Sequence, residues 1–292
     1  MSRFLIIGAT GQQGGAVAGA LAGHRHDITA FVRDPGSPRA QSLAAAGIDL
    51  VAGDLDDRPS IEAAFAGMDA AFAVTSPFAT STDVETQQGI AIAEAAASAS
   101  LPFLVYSSVA SADENTGIGH FDSKYRVEQR IDELNVPAAV IAPVFFMENL
   151  IFPWVMADYA RGVVRQALPA DTALQMVSAA DIGRAAAHML QNPAEFTGAR
   201  VELVGDELTG PQMATVLSSA MGQKLSFERQ PQDELAAMGS DMADMYTWFE
   251  TTGYSADRDA LGAALPSVHF ASLAEWARRQ DWTAATGKGA AS

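Results

Sequence analysis

The sequence predicts an α/β fold, a Rossmann-type doubly wound parallel sheet followed by a smaller C-terminal substrate lobe, and three observations carry that prediction. Apolar, β-branched runs recur through the first half, alanine-rich helical stretches separate them, and the first run ends in closely spaced glycines. The runs cover residues 4–7, 28–32, 48–52, 70–74, 103–106 and 138–142. Strands covered by helices on both faces read as continuous apolar segments, as these do. Turn and cap signals fall between them: Asp34-Pro35-Gly36, Arg58-Pro59-Ser60 ahead of Ile61, Ser81-Thr82-Asp83 ahead of a long helix, and Asn135-Val136-Pro137 after another.

Beyond Pro143 the order loosens. A short helix is expected over 149–160, Val177-Ser178-Ala179-Ala180-Asp181 opens another, a strand follows near 201–204, and Leu208-Thr209-Gly210-Pro211 opens a further helix. Asp181 and Thr209 read as helix-initiating residues rather than catalytic groups. After Gln230 the chain reads as helical, with Met238, Met242, Met245 and Phe249 on one stripe that suits a core, a flat apolar ligand or a partner protein. Residues 1–148 are expected to form the nucleotide domain, with some later segments returning to it. Residues 149–285 form the smaller lobe and 286–292 a disordered tail.

The first strand runs into Gly8-Ala9-Thr10-Gly11-Gln12-Gln13-Gly14, and each glycine has a physical task in a dinucleotide site. Gly8 turns the chain out of the strand, Gly11 lets backbone approach a pyrophosphate, and Gly14 lets the next helix pack with its N-terminus aimed at the anion. The residue closing the second strand separates the two nicotinamide dinucleotides, because an acid there bonds a ribose hydroxyl and repels a 2′-phosphate. Arg33 stands at that point and Arg39 can supply a second charge, which favours NADP(H); Asp34 keeps NAD(H) open. Asp54 and Leu55, closing the third strand, are placed to frame the adenine.

Length and composition agree with this plan. At 292 residues and 49% hydrophobic, the chain can bury one large core, or a nucleotide domain with a smaller lobe. The absence of cysteine excludes disulfides, thiolate chemistry and cysteine-ligated metal, and no metal site is read. Met-Ser-Arg leads directly into a strand with no basic leader, so a cytoplasmic location is expected. No apolar run approaches the roughly 20 residues that a spanning helix needs. A net charge of −17 without a basic patch argues against nucleic-acid binding, and it requires a local positive field wherever an anionic cofactor docks.

Hydride transfer in short-chain dehydrogenases uses a Tyr-x-x-x-Lys helix, and no tyrosine here has lysine four residues on. His120-Phe121-Asp122-Ser123-Lys124 stands instead, with His120 and Lys124 on one helical face. Lys124 can keep the contact to the nicotinamide ribose, and His120 occupies the tyrosine's place either as a proton donor or as a lining residue. Ser108, after the fifth strand, is a candidate to orient a substrate, or a simple cap.

These motifs, with Pro143-Val144-Phe145-Phe146-Met147-Glu148-Asn149 and the closing Phe270-Ala271-Ser272-Leu273-Ala274-Glu275-Trp276, resemble the NmrA-like family of atypical short-chain dehydrogenases over almost the whole chain. The resemblance implies a Rossmann fold with a small substrate lobe and a preference for NADP. It also implies that Thr75 and Ser76 lie beside the cofactor and that Pro143 to Phe146 pass the nicotinamide. Some members of the family resemble redox sensors that bind NADP(H) and act through protein partners. Others resemble reductases of quinones, triphenylmethane dyes or phenolic benzylic ethers.

An NADPH-dependent reductase of a small aromatic or quinone-like acceptor is the first reading, with Phe145, Phe146, Asn149, Trp154 and Trp248 in the apolar lobe available to cover a flat ligand. A catalytically silent NADP(H) sensor, with residues 76–83 and 110–119 as moving loops, is the alternative, and a homodimer stays open. Sugar-nucleotide epimerisation ranks last, because it wants the Tyr-x-x-x-Lys pair.

Overall fold

The computed structural model describes residues 2–22, 26–78, 80–237 and 239–286. The first half alternates strand and helix: β1 (Arg3–Ile7), α1 (Gln12–Leu21), β2 (Asp27–Val32), α2 (Pro38–Ala45), β3 (Asp49–Ala52), α3 (Arg58–Phe65), β4 (Ala70–Ala73), α4 (Thr82–Ser98), β5 (Leu104–Ser107), α5 (Gly119–Glu133) and β6 (Ala138–Pro143). Then come β7 (Phe145–Phe146), α6 (Pro153–Ala160), β8 (Val163–Gln166), β9 (Ala173–Val177), α7 (Ala179–Gln191), α8 (Pro193–Phe196), β10 (Arg200–Leu203) and β11 (Asp206–Thr209). The chain closes with α9 (Gly210–Met221), β12 (Ser226–Arg229), α10 (Gln232–Ala237), α11 (Ser240–Thr251), α12 (Arg258–Ala264), α13 (Leu273–Ala277) and α14 (Thr283–Thr286).

Two units result, one of Met1–Pro143, Ala179–Leu203 and Leu261–Val268, the other of Val144–Ser178, Val204–Ala260 and His269–Ser292. The first holds a seven-stranded parallel sheet in the order β10-β6-β5-β4-β1-β2-β3. Order reverses between β1 and β4, which is where open parallel sheets bind ligands beyond their strands' C-terminal ends. β4 and β5 are buried at every residue, and β1 at all but Arg3, so the apolar runs were continuous for the reason the sequence suggested. One face packs Leu5, Ile7, Phe31, Ile61, Phe65, Tyr106 and Val127 into a single core. Helices begin where their caps stand: Ser37 and Ser81 accept from Ala40 and Val84, opening α2 and α4.

The second unit carries two small sheets, β11-β9-β7 and β12-β8. The unit boundary falls at Pro143/Val144, where the sequence placed it at 148/149, because Phe145 and Phe146 pair with Met176 and Val177 of β9. The helix expected over 149–160 is two pieces: Met147–Ile151 forms a 3-10 helix, and Pro153, unable to continue a helix begun earlier, opens α6. Thr209 caps α9 in a capping box with Gln212. Asp181 lies buried in the first turn of α7 and pairs with Arg184. Met245 and Phe249 of the expected stripe are buried on α11; Met238, and residues 287–292 of the expected tail, lie outside the described residues. Among the described residues no helix is long and apolar enough to cross a membrane.

Candidate cofactor site

Gly8 leaves β1 at φ +84°, a conformation that only glycine adopts without strain, and the Gly11 amide closes the turn on the Gly8 carbonyl at 2.9 Å. A methyl group on Gly14 would stand 2.3 Å from the Gly8 carbonyl oxygen, so the first turn of α1 rests directly on the strand's exit. α1 starts from Gly11 with no side-chain cap, which leaves its amino end free of any competing side-chain acceptor. These three constraints make a cradle that fits a pyrophosphate and that a side chain would fill.

The neighbouring predicted residues divide. Arg33 and Arg39 are both exposed, and Arg39 donates to the Thr10 carbonyl at 3.3 Å, at the glycine turn itself. Gln12 is exposed, whereas the Gln13 side-chain oxygen Oε1 accepts from the Ser107 hydroxyl at 2.6 Å and ties the turn to the end of β5. Asp34 turns into its own loop, accepting from the Gly36 amide at 2.8 Å. Asp54 does likewise with the Asp56 amide at 3.1 Å, so its carboxylate holds the turn after β3, while Leu55 packs on the core. Thr75 is buried just past β4 and Ser76 beside it is exposed.

Lys124 is buried, and its ammonium donates to the Thr75 carbonyl at 2.6 Å while pairing with Glu85 at 3.0 Å. The Thr75 hydroxyl at 3.2 Å and the Ser107 carbonyl at 3.4 Å are longer contacts, and the Tyr106 ring lies 5.6 Å away. Burial lowers the lysine's pKa below the ordinary range, and the Glu85 carboxylate opposes that shift. Burial pushes the Tyr106 hydroxyl upward, so it stays protonated. His120, one turn before Lys124, is half-buried against the rings of Phe121 at 4.8 Å and Phe78 at 5.9 Å; Phe78 is 74% exposed.

Ser108 is also buried, and its hydroxyl donates to Glu128. Arg200 of β10 holds the other carboxylate oxygen of Glu128 at 3.0 Å and reaches Asp113 at 3.0 Å and Glu202 at 3.1 Å. Burial raises the Glu128 carboxyl's pKa, with Arg200 pulling the other way. Within 110–119, read as a moving loop, the Ser111 amide donates to Glu202 at 2.9 Å, which fastens that segment to β10. Ala79, in the other expected loop, lies outside the described residues.

Pro143 ends β6 in the first unit; Phe145, Phe146, Asn149, Trp154 and Trp248 belong to the second. There Phe145 meets Phe249 edge-on at 6.4 Å, and Phe249 in turn touches Tyr246, Trp248 and Tyr254. Trp154 stacks on Phe152 at 4.7 Å and remains 61% exposed. The sequence reading missed Glu85, Glu128 and Arg200. Glu128 carried a signal, since it lies four residues after Lys124 on the same helical face, whereas Glu85 looked like any first-turn acid.

A parallel sheet with this strand order and a glycine turn at its switch point define a Rossmann-type nucleotide-binding fold. The chain belongs to the NmrA-like family, whose pattern it matches over residues 1–280. It is 29% identical over 225 residues to a (4-alkanoyl-5-oxo-2,5-dihydrofuran-3-yl)methyl phosphate reductase of Streptomyces griseus, covering 77% of this chain and 76% of that one. It is 28% identical over 225 residues to an NAD(P)H azoreductase of Xenophilus azovorans, covering 76% and 75%. The crystal structure of an NADPH-dependent quinone oxidoreductase of Escherichia coli superposes with a TM-score of 0.78 at 25% identity, over 94% of this chain and 98% of that one.

Proposed function

We propose that this protein is an NADPH-dependent reductase that transfers hydride to a small, apolar, aromatic or quinone-like acceptor. The observation that carries the reading is the glycine cradle at the sheet's switch point, where Gly14 abuts the Gly8 carbonyl and α1 presents an uncapped amino end. When bound there, the nicotinamide cofactor supplies the hydride. Thr10, Gln12 and Gln13 line the turn that holds the pyrophosphate, Arg33 and Arg39 take the 2′-phosphate, and Lys124 with Thr75 and Ser76 borders the nicotinamide ribose. Pro143, at the end of β6, faces the nicotinamide.

The hydrogen bonding of Ser108 supports the acceptor class, with His120 the remaining candidate proton donor. Ser108 has one hydroxyl hydrogen, and it is directed at Glu128, so this serine accepts hydrogen bonds rather than donating one to a carbonyl. An electron-poor acceptor such as a quinone takes hydride without concurrent proton donation by the enzyme, and the azo and quinone reductases among the relatives are consistent with that chemistry. The test is NADPH consumption against quinones, azo and triphenylmethane dyes, enones and aldehydes, with NADH in parallel. Turnover of conjugated acceptors with an NADPH preference is the expected result. Tight NADPH binding without consumption across the panel overturns it in favour of a cofactor sensor.

A further inference from the structure

We propose that Glu85 is the positioning residue for Lys124, a buried carboxylate that keeps the lysine charged and aimed so that one of its hydrogens is left for the cofactor. The proposal rests on the cofactor reading above.

Acids in the first turn of a helix ordinarily face solvent, where they complement the helix dipole. Glu85 occupies that position on α4 and is nevertheless 0% exposed. Burying a carboxylate is costly unless its oxygens find partners, and here both oxygens do. One oxygen takes Lys124 at 3.0 Å and the Thr75 hydroxyl at 3.4 Å, and the other accepts from the Ser123 hydroxyl. Glu85 therefore grips α5 at two consecutive residues, 123 and 124, immediately beyond His120, whose carbonyl lies 3.0 Å from the same Ser123 hydroxyl.

The lysine's three hydrogens are unequally used. Two are taken by the Thr75 carbonyl at 2.6 Å and by Glu85. The third is left between the Thr75 hydroxyl at 3.2 Å and the Ser107 carbonyl at 3.4 Å, the longest contacts of the set and the ones a ligand hydroxyl displaces most easily. The lysine side chain keeps 10% of its surface exposed, so the ammonium is not sealed off. A buried ion pair is weak evidence for stability, because apolar residues of equal volume commonly do as well, and this points to position and charge as what the pair contributes.

The groups facing Lys124 are Glu85 from α4, Glu128 from its own helix and the Tyr106 ring from β5. Burial lowers the ammonium's pKa and the two carboxylates raise it, so neutralising Glu85 moves the lysine's deprotonation to lower pH. A contact that needs the charged lysine is then lost at lower pH than in the wild type.

NADPH titrations of the wild type, Glu85→Gln, Lys124→Met and the double variant from about pH 6 to 9.5 test this. Glu85→Gln is expected to weaken binding about tenfold at alkaline pH, the scale of one charge-assisted hydrogen bond, and to shift the alkaline loss downward. On the Lys124→Met background, which lacks that alkaline loss, the same change should cost less than about twofold. Glu85→Asp keeps the charge and should preserve the wild-type pH profile, which separates positioning from mere folding. Equal losses in both backgrounds would make Glu85 a structural residue and overturn the proposal. A wild type that binds no NADPH overturns the cofactor reading itself. NADPH binding that Glu85→Gln leaves unchanged in affinity and pH dependence overturns the role of Glu85 alone.

Discussion

At Gly14 one added carbon decides the site. Gly14→Ala places a methyl 2.3 Å from the Gly8 carbonyl oxygen, backbone against backbone, so α1 must lift off the turn. Overpacking of this kind costs about 1–3 kcal/mol, and the helix carries the cradle's amides with it. Calorimetric titration should show NADPH binding lost while a folded protein remains; unchanged affinity would place the cofactor elsewhere. Arg33 offers a cleaner discrimination, because it is exposed and its loss leaves no buried partner. Arg33→Ala should raise the NADPH KM by roughly thirtyfold, about 2 kcal/mol, and leave the NADH KM within twofold, by the scale of a charge-assisted phosphate contact. Equal losses for both cofactors would mean that Arg33 does not read the phosphate. Asp34, beside Arg33 in the chain, holds the Gly36 amide with one carboxylate oxygen. From sequence it read as a turn residue and as a group that keeps NAD(H) open, and the turn on Gly36 occupies one of its oxygens.

Between elements, contact is governed by a few small residues. Gly183 of α7 lies so close to α1 that a Cβ would come 2.5 Å from the Ala16 carbonyl carbon, and Gly89 of α4 approaches Val127 of α5 in the same way. Gly183→Ala should therefore cost about 2 kcal/mol and lower Tm by roughly 4–8 °C in a thermal melt. A melt unchanged within a degree would show that α7 is free to shift. Across the elements, sequence reading worked unevenly. Five of the six strands of the first half were legible because parallel strands buried on both faces leave long apolar runs, the edge strand β3 because its short run is still apolar, and the glycine turn because its glycines carry separate steric tasks. The small strands β7, β8, β11 and β12 were not, since they are two to four residues long and only partly buried, which leaves neither an apolar run nor a period to detect. Glu85 and Arg200 were illegible for a different reason. Each looks like an ordinary surface charge until the fold brings Lys124 to the one and Glu128 to the other, across 39 and 72 positions of chain.

For the whole molecule the dominant quantity is charge. Asp and Glu number 35 against 18 Lys and Arg, so a polyanionic cofactor approaches against a long-range repulsion that Arg33 and Arg39 offset only locally. Those two ranges respond differently to salt. At low ionic strength the Debye length is about 30 Å and the cofactor feels the net charge, whereas near 0.15 M it shrinks to about 8 Å and mainly the groups at the site remain. Salt should therefore accelerate NADPH association, by about two- to fivefold between 10 and 150 mM, the reverse of ordinary electrostatic steering. Dissociation should quicken as the arginine contacts are screened, so Kd changes less than either rate. Stopped-flow quenching of NADPH fluorescence reads both constants. An association rate that falls steeply with salt would show that the local arginine field reaches beyond the acidic surface and governs capture.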